Sequence, residues 1–158
     1  MNADEKMNDE EYIQVKSNEF IDTCSWFLMR KVVRLLTNYI NNSFKETGIL
    51  STQLGALAIL EIKKELSISE IAKELVMDQT TATRNIMKLE KENLVKVIEG
   101  NDKRFKIITL TDKGREKLQQ VLPIWDHNQQ MINQAVGNEK IQNLDEILRT
   151  ILHILPKN

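Results

Sequence analysis

Apolar residues recur at three- and four-residue spacing through most of this chain, and that periodicity marks amphipathic helices. Between about residues 17 and 45, Phe20, Phe27, Val32, Leu35, Leu36, Tyr39, Ile40 and Phe44 follow this spacing, while Arg30, Lys31 and Arg34 punctuate the other side. Gly48 reads as the stop of this long helix. Ser51 or Thr52 then caps a second helix carrying Leu54, Leu57, Ala58, Leu60 and Ile62. Ahead of the first helix, residues 1–12 hold five acids against Lys6 alone, and a short flexible tail is expected there.

The middle of the chain carries the most information. Ser67 stands three residues before Glu70, the spacing of a capping box, and opens a short helix through Ile68, Ile71, Ala72 and Leu75. After a break at Val76-Met77, Asp78 caps another helix that runs to about Glu92. Two short helices joined by a tight turn are the outline of a helix-turn-helix. Two β-branched runs follow, residues 94–98 and 105–110, flanking the polar tip Glu99-Gly100-Asn101-Asp102-Lys103-Arg104. A helix-turn-helix followed directly by a hairpin predicts a winged helix.

Thr111 or Asp112 caps a long helix to about Val136, with Leu118, Val121, Leu122, Trp125 and Ile132 on its apolar stripe and Pro123 inside it as an expected kink. Beyond Gly137, Ile141, Leu144, Ile147, Leu148, Ile151, Leu152 and Leu155 keep a helical period. The expected fold class is therefore mainly α with a small β-hairpin wing: a winged helix-turn-helix flanked by N- and C-terminal dimerisation helices. The expected divisions are a flexible acidic tail over 1–12, an N-terminal helical arm over 13–50, a DNA-binding lobe over 51–112 and C-terminal helices over 113–158. Symmetric pairing of the arms in a homodimer is the commonest assembly for such an arrangement.

Composition narrows the class. At 158 residues, 41% hydrophobic and 28% charged, the chain is long enough for one folded domain with arms and is not of disordered composition. The one cysteine, Cys24, leaves no internal disulfide framework and points to a reducing, cytoplasmic setting. The stretch from Gly48 to Leu60 is too short to cross a bilayer, and the acidic start is the opposite of a secretory signal, so no membrane partner is expected. A formal net charge of −1 argues at first against nucleic acid. Mapped along the chain, it does not: residues 78–115 hold nine Lys and Arg against six Asp and Glu, a net of +3, whereas residues 1–12 carry −4. A basic lobe is offset by an acidic tail, which predicts modest, salt-sensitive attraction to double-stranded DNA.

The candidate chemistry lies in that lobe. On the helix from Asp78 to Glu92, Ala82, Ile86 and Leu89 share a narrow arc that should face the core. Thr81, Arg84, Asn85 and Lys88 occupy another arc and offer donors suited to phosphates and guanine edges. At the wing, Lys103 and Arg104, with Lys106 just inside, suit the narrow, electronegative minor groove. Asp102 serves either as a partner that steadies Arg104 or as a turn residue.

These residues resemble the multiple-antibiotic-resistance regulator (MarR) family. The resemblance rests on Ser67-Ile68-Ser69-Glu70-Ile71-Ala72, on Asp78-Gln79-Thr80-Thr81-Ala82-Thr83-Arg84, on Leu89-Glu90, on Gly100 to Arg104 with its Asp102-x-Arg104, and on Leu110-Thr111-Asp112-Lys113-Gly114. It extends from about Cys24 to Leu155. It implies a homodimeric winged-helix regulator on a pseudo-palindromic operator, with recognition helices in successive major grooves and wings in flanking minor grooves. It also implies relief of repression by a small anionic or phenolic ligand, or by an oxidant. By this resemblance Thr80, Thr81, Thr83, Arg84 and Lys88 are groove or phosphate contacts and Arg104 is the minor-groove probe. The short tip lacks the doubled arginine common in the family, which predicts weaker minor-groove contact.

Elsewhere the signals are thinner. Arg30 and Arg34, one turn apart, with Trp26 close by, are candidates to meet a ligand carboxylate, against the plainer reading of solvated or ion-paired side chains. Cys24 is a candidate redox residue, against that of a buried structural thiol. His127 and His153 do not make a tetrahedral metal set, and no nucleophile–base pair, phosphate loop or dinucleotide fingerprint occurs, so neither a cofactor nor an enzyme is expected. Two rivals to an operator-binding repressor stay open: a winged helix used only for protein contacts, and a redox switch acting through Cys24.

Overall fold

A computed structural model of the protein describes residues 8–99 and 106–155. The chain divides into two compact units, Met1–Tyr39 and Ile40–Asn158. Its described helices are α1 (Asp9–Thr23), α2 (Ser25–Ser43), α3 (Ser51–Lys63), α4 (Ile68–Glu74), α5 (Gln79–Lys91), α6 (Asp112–Val136) and α7 (Asn138–Ile154). The strands are β1 (Glu65–Ser67), β2 (Val95–Glu99) and β3 (Lys106–Leu110). This is the mainly helical winged-helix architecture read from the sequence.

In the N-terminal unit the helical pattern starts earlier and breaks once. The tail expected over residues 1–12 gives way to helix at Asp9. Asn8 caps that helix, its Oδ1 accepting from the Glu11 N–H at 2.9 Å while the Glu11 carboxylate accepts from the Asn8 N–H at 3.2 Å. The acids Asp9, Glu10 and Glu11 lie in the first turn, where the helix dipole favours negative charge. The single long helix expected over residues 17–45 is interrupted at Cys24, which takes an extended conformation (ψ 102°). Thr23 turns its hydroxyl back onto the Glu19 carbonyl at 2.7 Å, the local competition that makes Thr a poor helix-interior residue.

The second unit is built on a core of Phe44, Ile49, Leu57, Leu60, Ile71, Ile86, Leu89, Leu94, Val95, Ile108 and Val121, each buried. Phe44 and Ile49 belong to this core, so the boundary expected at residue 50 falls inside it; the unit begins at Ile40. Neither Ser51 nor Thr52 caps α3. The helix opens after Leu50, whose N–H donates to the buried Gln53 side chain at 2.9 Å, while Asn41 Oδ1 accepts the Ser51 N–H at 2.8 Å.

The wing is part of a three-stranded antiparallel sheet of order β1-β3-β2, one strand more than the sequence pattern suggested. Leu66 pairs with Ile108 on one side of β3 and Val97 pairs with it on the other. Three residues are too few for an alternation to show, so β1 is identified only by its pairing. The tip, residues 100–105, lies outside the described residues. Helix α6 runs unbroken through Pro123.

Thr111 ties the wing to α6. Its hydroxyl donates to the Asn93 carbonyl at 2.7 Å and accepts the Gly114 N–H at 3.0 Å, while its own N–H donates to the Leu94 carbonyl at 3.1 Å. Lys113 Nζ adds a hydrogen bond to the Glu92 carbonyl at 2.8 Å. Gly114 is buried here, and a Cβ on it would collide with the Leu94 carbonyl oxygen and lie 2.6 Å from Leu110 Cδ1. Since one obstacle is backbone, the clash cannot be relieved by a rotamer change. Gly114→Ala is therefore expected to destabilise the protein by ~1–3 kcal/mol in chemical denaturation, the usual cost of overpacking; an unchanged midpoint would refute the close approach.

Candidate nucleic-acid interface

Helices α4 and α5 form the helix-turn-helix. Ser67 caps α4, with its Oγ accepting the Glu70 N–H and the Glu70 carboxylate accepting both the N–H and the hydroxyl of Ser67, each at 2.7 Å. The break at Val76-Met77 takes the form of a left-handed residue: Val76 has φ 50°, uncommon for a β-branched side chain. The Met77 N–H returns to the Ala72 carbonyl at 2.9 Å, closing α4 and turning the chain into α5. Gln79 Nε2 donates to Ser69 Oγ at 3.1 Å and links the first turns of the two helices.

Asp78 caps α5 through Thr81, whose N–H and hydroxyl donate to the two carboxylate oxygens at 2.8 and 2.7 Å. These bonds, the hydroxyl's first and the N–H's second, hold the Asp78 carboxyl below its ordinary range. The Ser67 N–H, followed by its hydroxyl, does the same for Glu70.

Ala82, Ile86 and Leu89 are buried, as their spacing predicts, and fix how α5 is rolled. The arc directly opposite them at 100° per residue contains Thr80, Arg84, Met87 and Lys91, all exposed, with Lys88 at its edge and also exposed. Of the residues singled out in the sequence, Thr80, Arg84 and Lys88 thus reach the open side. Thr81 is exposed but its hydroxyl is committed to Asp78. Thr83 is half-buried and donates to the Gln79 carbonyl at 2.7 Å, and Asn85 is half-buried with its amide 3.9 Å from Met77 Sδ. Asp102, Lys103 and Arg104 lie outside the described residues. Sequence reasoning passed over Met87 and Lys91; the signal available was their spacing from Thr80 and Arg84.

The remaining candidates lie in the N-terminal unit. Trp26, Arg30 and Arg34 line one cleft of about 720 Å³ together with Phe20 and Phe27. Phe20 packs against Phe27 with ring centroids 5.2 Å apart and against Trp26 at 6.4 Å. The Arg30 guanidinium stands 5.6 Å from the Trp26 ring centre, and Lys31 Nζ 5.7 Å from that of Phe27, both within cation–π range. Cys24 is half-buried at the break between α1 and α2. Among the described residues no group of three or more His, Cys, Asp or Glu is placed to hold a metal ion, and no helix is long and apolar enough to cross a membrane.

A helix-turn-helix with a cationic outer face, backed by a winged sheet, defines a DNA-binding transcriptional regulator of the winged-helix class. The family model for the MarR family matches residues 49–106. The chain is 33% identical over 129 residues to the HTH-type transcriptional regulator TcaR of Staphylococcus aureus, an alignment covering 80% of each protein. It is 34% identical to the transcriptional repressor MprA of Escherichia coli, over 75% of this chain and 69% of that one. Among solved structures, the M. tuberculosis transcriptional regulator MosR in complex with DNA superposes with a TM-score of 0.67 at 30% identity, covering 81% of this chain and 98% of that one. The repressor CouR reaches 0.79 at 18% identity over 84% and 95%, a likeness of fold. The chain belongs to the MarR family.

The two capping carboxylates make the helix-turn-helix acid-sensitive. Their values are lowered in the folded state, so their stabilisation is complete above the unfolded carboxylate range of ~4 and is lost as pH falls through the lowered folded values. Thermal melts from pH 7 to pH 3 should therefore show a midpoint falling steeply only below ~4. Asp78→Asn should start lower and decline less; parallel curves for the two proteins would rule out this role for Asp78.

Proposed function

We propose that the protein is a homodimeric repressor that binds a pseudo-palindromic operator and is released by a small anionic or phenolic ligand. The observation that carries the operator reading is the outer face of α5: Thr80, Arg84 and Lys88 are exposed, and no hydrogen bond or ion pair to another described residue engages their side chains. Arg84 offers the fork that suits a guanine edge or a phosphate. The Thr81 and Thr83 hydroxyls donate to Asp78 and to the Gln79 carbonyl. By the sequence reading, Lys103 and Arg104 would be the minor-groove contacts.

Homodimerisation is supported by apolar residues left exposed on the terminal helices. On α7 these are Leu144, Ile147, Leu148 and Leu152, one helical stripe, and on α1 Ile13 and Ile21. A soluble monomer rarely leaves a stripe of that size uncovered. The ligand reading rests on the cleft in the N-terminal unit. Aromatic walls from Phe20, Trp26 and Phe27, with Arg30 and Arg34 on the rim, suit an aromatic carboxylate or phenolate, the ring stacking while the anion meets guanidinium. Cys24, a half-buried free thiol, is the residue on which the alternative redox reading would rest. A cytoplasmic setting follows from the DNA partner.

Titrating the protein by fluorescence anisotropy against the DNA upstream of its own gene, over a salt series, tests the central reading. Preference for that duplex over random DNA is expected, and equal affinity at every salt concentration would overturn it. Arg84→Ala should weaken specific binding by ~1–3 kcal/mol, whereas Lys88→Ala should lower affinity for all sequences alike and reduce the salt slope by about one.

The ligand is tested separately. Benzoate and hydroxybenzoates are expected to raise the melting temperature of the wild-type protein, and Arg30→Ala and Trp26→Ala to lose that shift. A shift retained in both variants would place the ligand elsewhere.

A further inference from the structure

Met87 is the one large apolar side chain on the open arc of α5, and it is 62% exposed. An isolated exposed hydrophobe ordinarily calls for no explanation. This one sits between Arg84 and Lys91 on a face whose other members are polar or cationic, and the inference rests on the reading of α5 as the helix that meets DNA. The neighbouring threonines already donate their hydroxyl protons, Thr81 to Asp78 and Thr83 to the Gln79 carbonyl, so in this structure they offer no free hydroxyl donor. The free groups on the arc are thus one hydroxyl, at Thr80, the guanidinium of Arg84, one thioether chain and two ammonium groups.

We propose that Met87 reads thymine through its C5 methyl group, and that Lys91 holds the phosphate wall beyond it. The helix geometry sets the division of labour. Thr80 and Met87 are seven residues apart, so they lie within ~20° of one another around the axis and ~10.5 Å apart along it. Arg84 lies between them along the axis, and a recognition helix lies along the major groove with its N-terminal part against the base edges. Lys91, a further turn along, stands ~16 Å from Thr80. As the last residue of α5 it stands away from the N-terminal part that reads bases, and its flexible chain brings the ammonium to the sugar–phosphate backbone, where an unbranched cation contributes affinity without sequence information. The thymine methyl is the only apolar group that bases display in the major groove, and a flexible, polarisable methionine adapts to it at small entropic and steric cost. Guanine read by Arg84 beside a thymine read by Met87 would account for sequence preference on a chain of near-neutral net charge.

The test uses the full-length protein and a duplex enriched from a random-sequence pool, remade with deoxyuridine replacing thymine at one position at a time. Deoxyuridine removes the methyl group and leaves every hydrogen-bonding edge intact. Wild type is expected to lose about fourfold in affinity at one thymine of each half-site, the equivalent of ~0.8 kcal/mol for one buried methyl carbon. Met87→Ala should bind the thymine duplex more weakly and lose nothing further on the deoxyuridine duplex, while Met87→Leu should keep the discrimination. Lys91→Ala should weaken both duplexes equally and lower the salt slope by about one. Because Met87 and Lys91 are exposed, circular dichroism of all the variants should match wild type. Equal thymine-to-deoxyuridine losses in wild type and Met87→Ala, or none in wild type, overturn the assignment while leaving DNA binding intact. A pool that enriches no duplex overturns the operator reading and this assignment together.

Discussion

The approach of α6 to the Leu94 carbonyl is the constraint on which the DNA-binding unit depends. Leu94 lies between the end of the recognition helix α5 and the first strand of the wing, so whatever fixes its backbone fixes both. Thr111 grips that segment with its N–H and hydroxyl, Lys113 adds a bond to Glu92, and Gly114 supplies the space that lets two backbones meet. The strength of each hydrogen bond is modest. Their effect comes from location: one cluster sets the angle at which α5 leaves the core and the register in which β2 begins. The buried stripe of Ala82, Ile86 and Leu89 then fixes the roll of α5, and the exposed arc follows as the remainder of the circle.

Charge is arranged in the same economical way. The acids of the helix-turn-helix that carry a strong local role, Glu70 and Asp78, face backbone N–H groups at helix starts, where dipole and hydrogen bonds favour the ionised form. Arg84, Lys88 and Lys91 are left unneutralised on the outer face. A net charge of −1 for the chain therefore coexists with a cationic reading head. Long-range attraction is weak in such a molecule, and on the proposed reading discrimination falls to short-range contacts: one guanidinium fork, one hydroxyl and one apolar side chain.

Much of this was legible in the sequence, and where it was not the reasons are physical. The capping box at Ser67, the N-cap at Asp78 and the 3.6-residue period of α5 are local, so they could be read from neighbours. The same holds for Thr111 as the start of α6. Strand β1 could not be read, because three residues are held only by partners forty or more positions away. The break at Cys24 was hidden because the apolar period continues across it, and the beginning of α1 because acidic residues suit both a solvated tail and a helix N-terminus. Thr81 and Thr83 were read as donors to DNA. Their identity was informative, but whether a hydroxyl is free depends on a carboxylate or carbonyl within 3 Å, and only coordinates supply that.

The sequence by itself determined the order of elements, the winged-helix class, the family and the residues from which a recognition face must be drawn. Each follows from spacing and local chemistry, which a linear pattern records. Tertiary structure alone decided how that face is dealt out. The spacing of Ala82, Ile86 and Leu89 already marks the buried side of α5; their burial against a core that includes Phe44 and Ile108 fixes it there, with Arg84 and Lys91 at the centre of the open side, while the bonds from the Thr81 and Thr83 hydroxyls to Asp78 and the Gln79 carbonyl decide which polar groups on the helix stay free. Which side of a helix faces water is settled by what packs against the other side, and those partners lie far away along the chain.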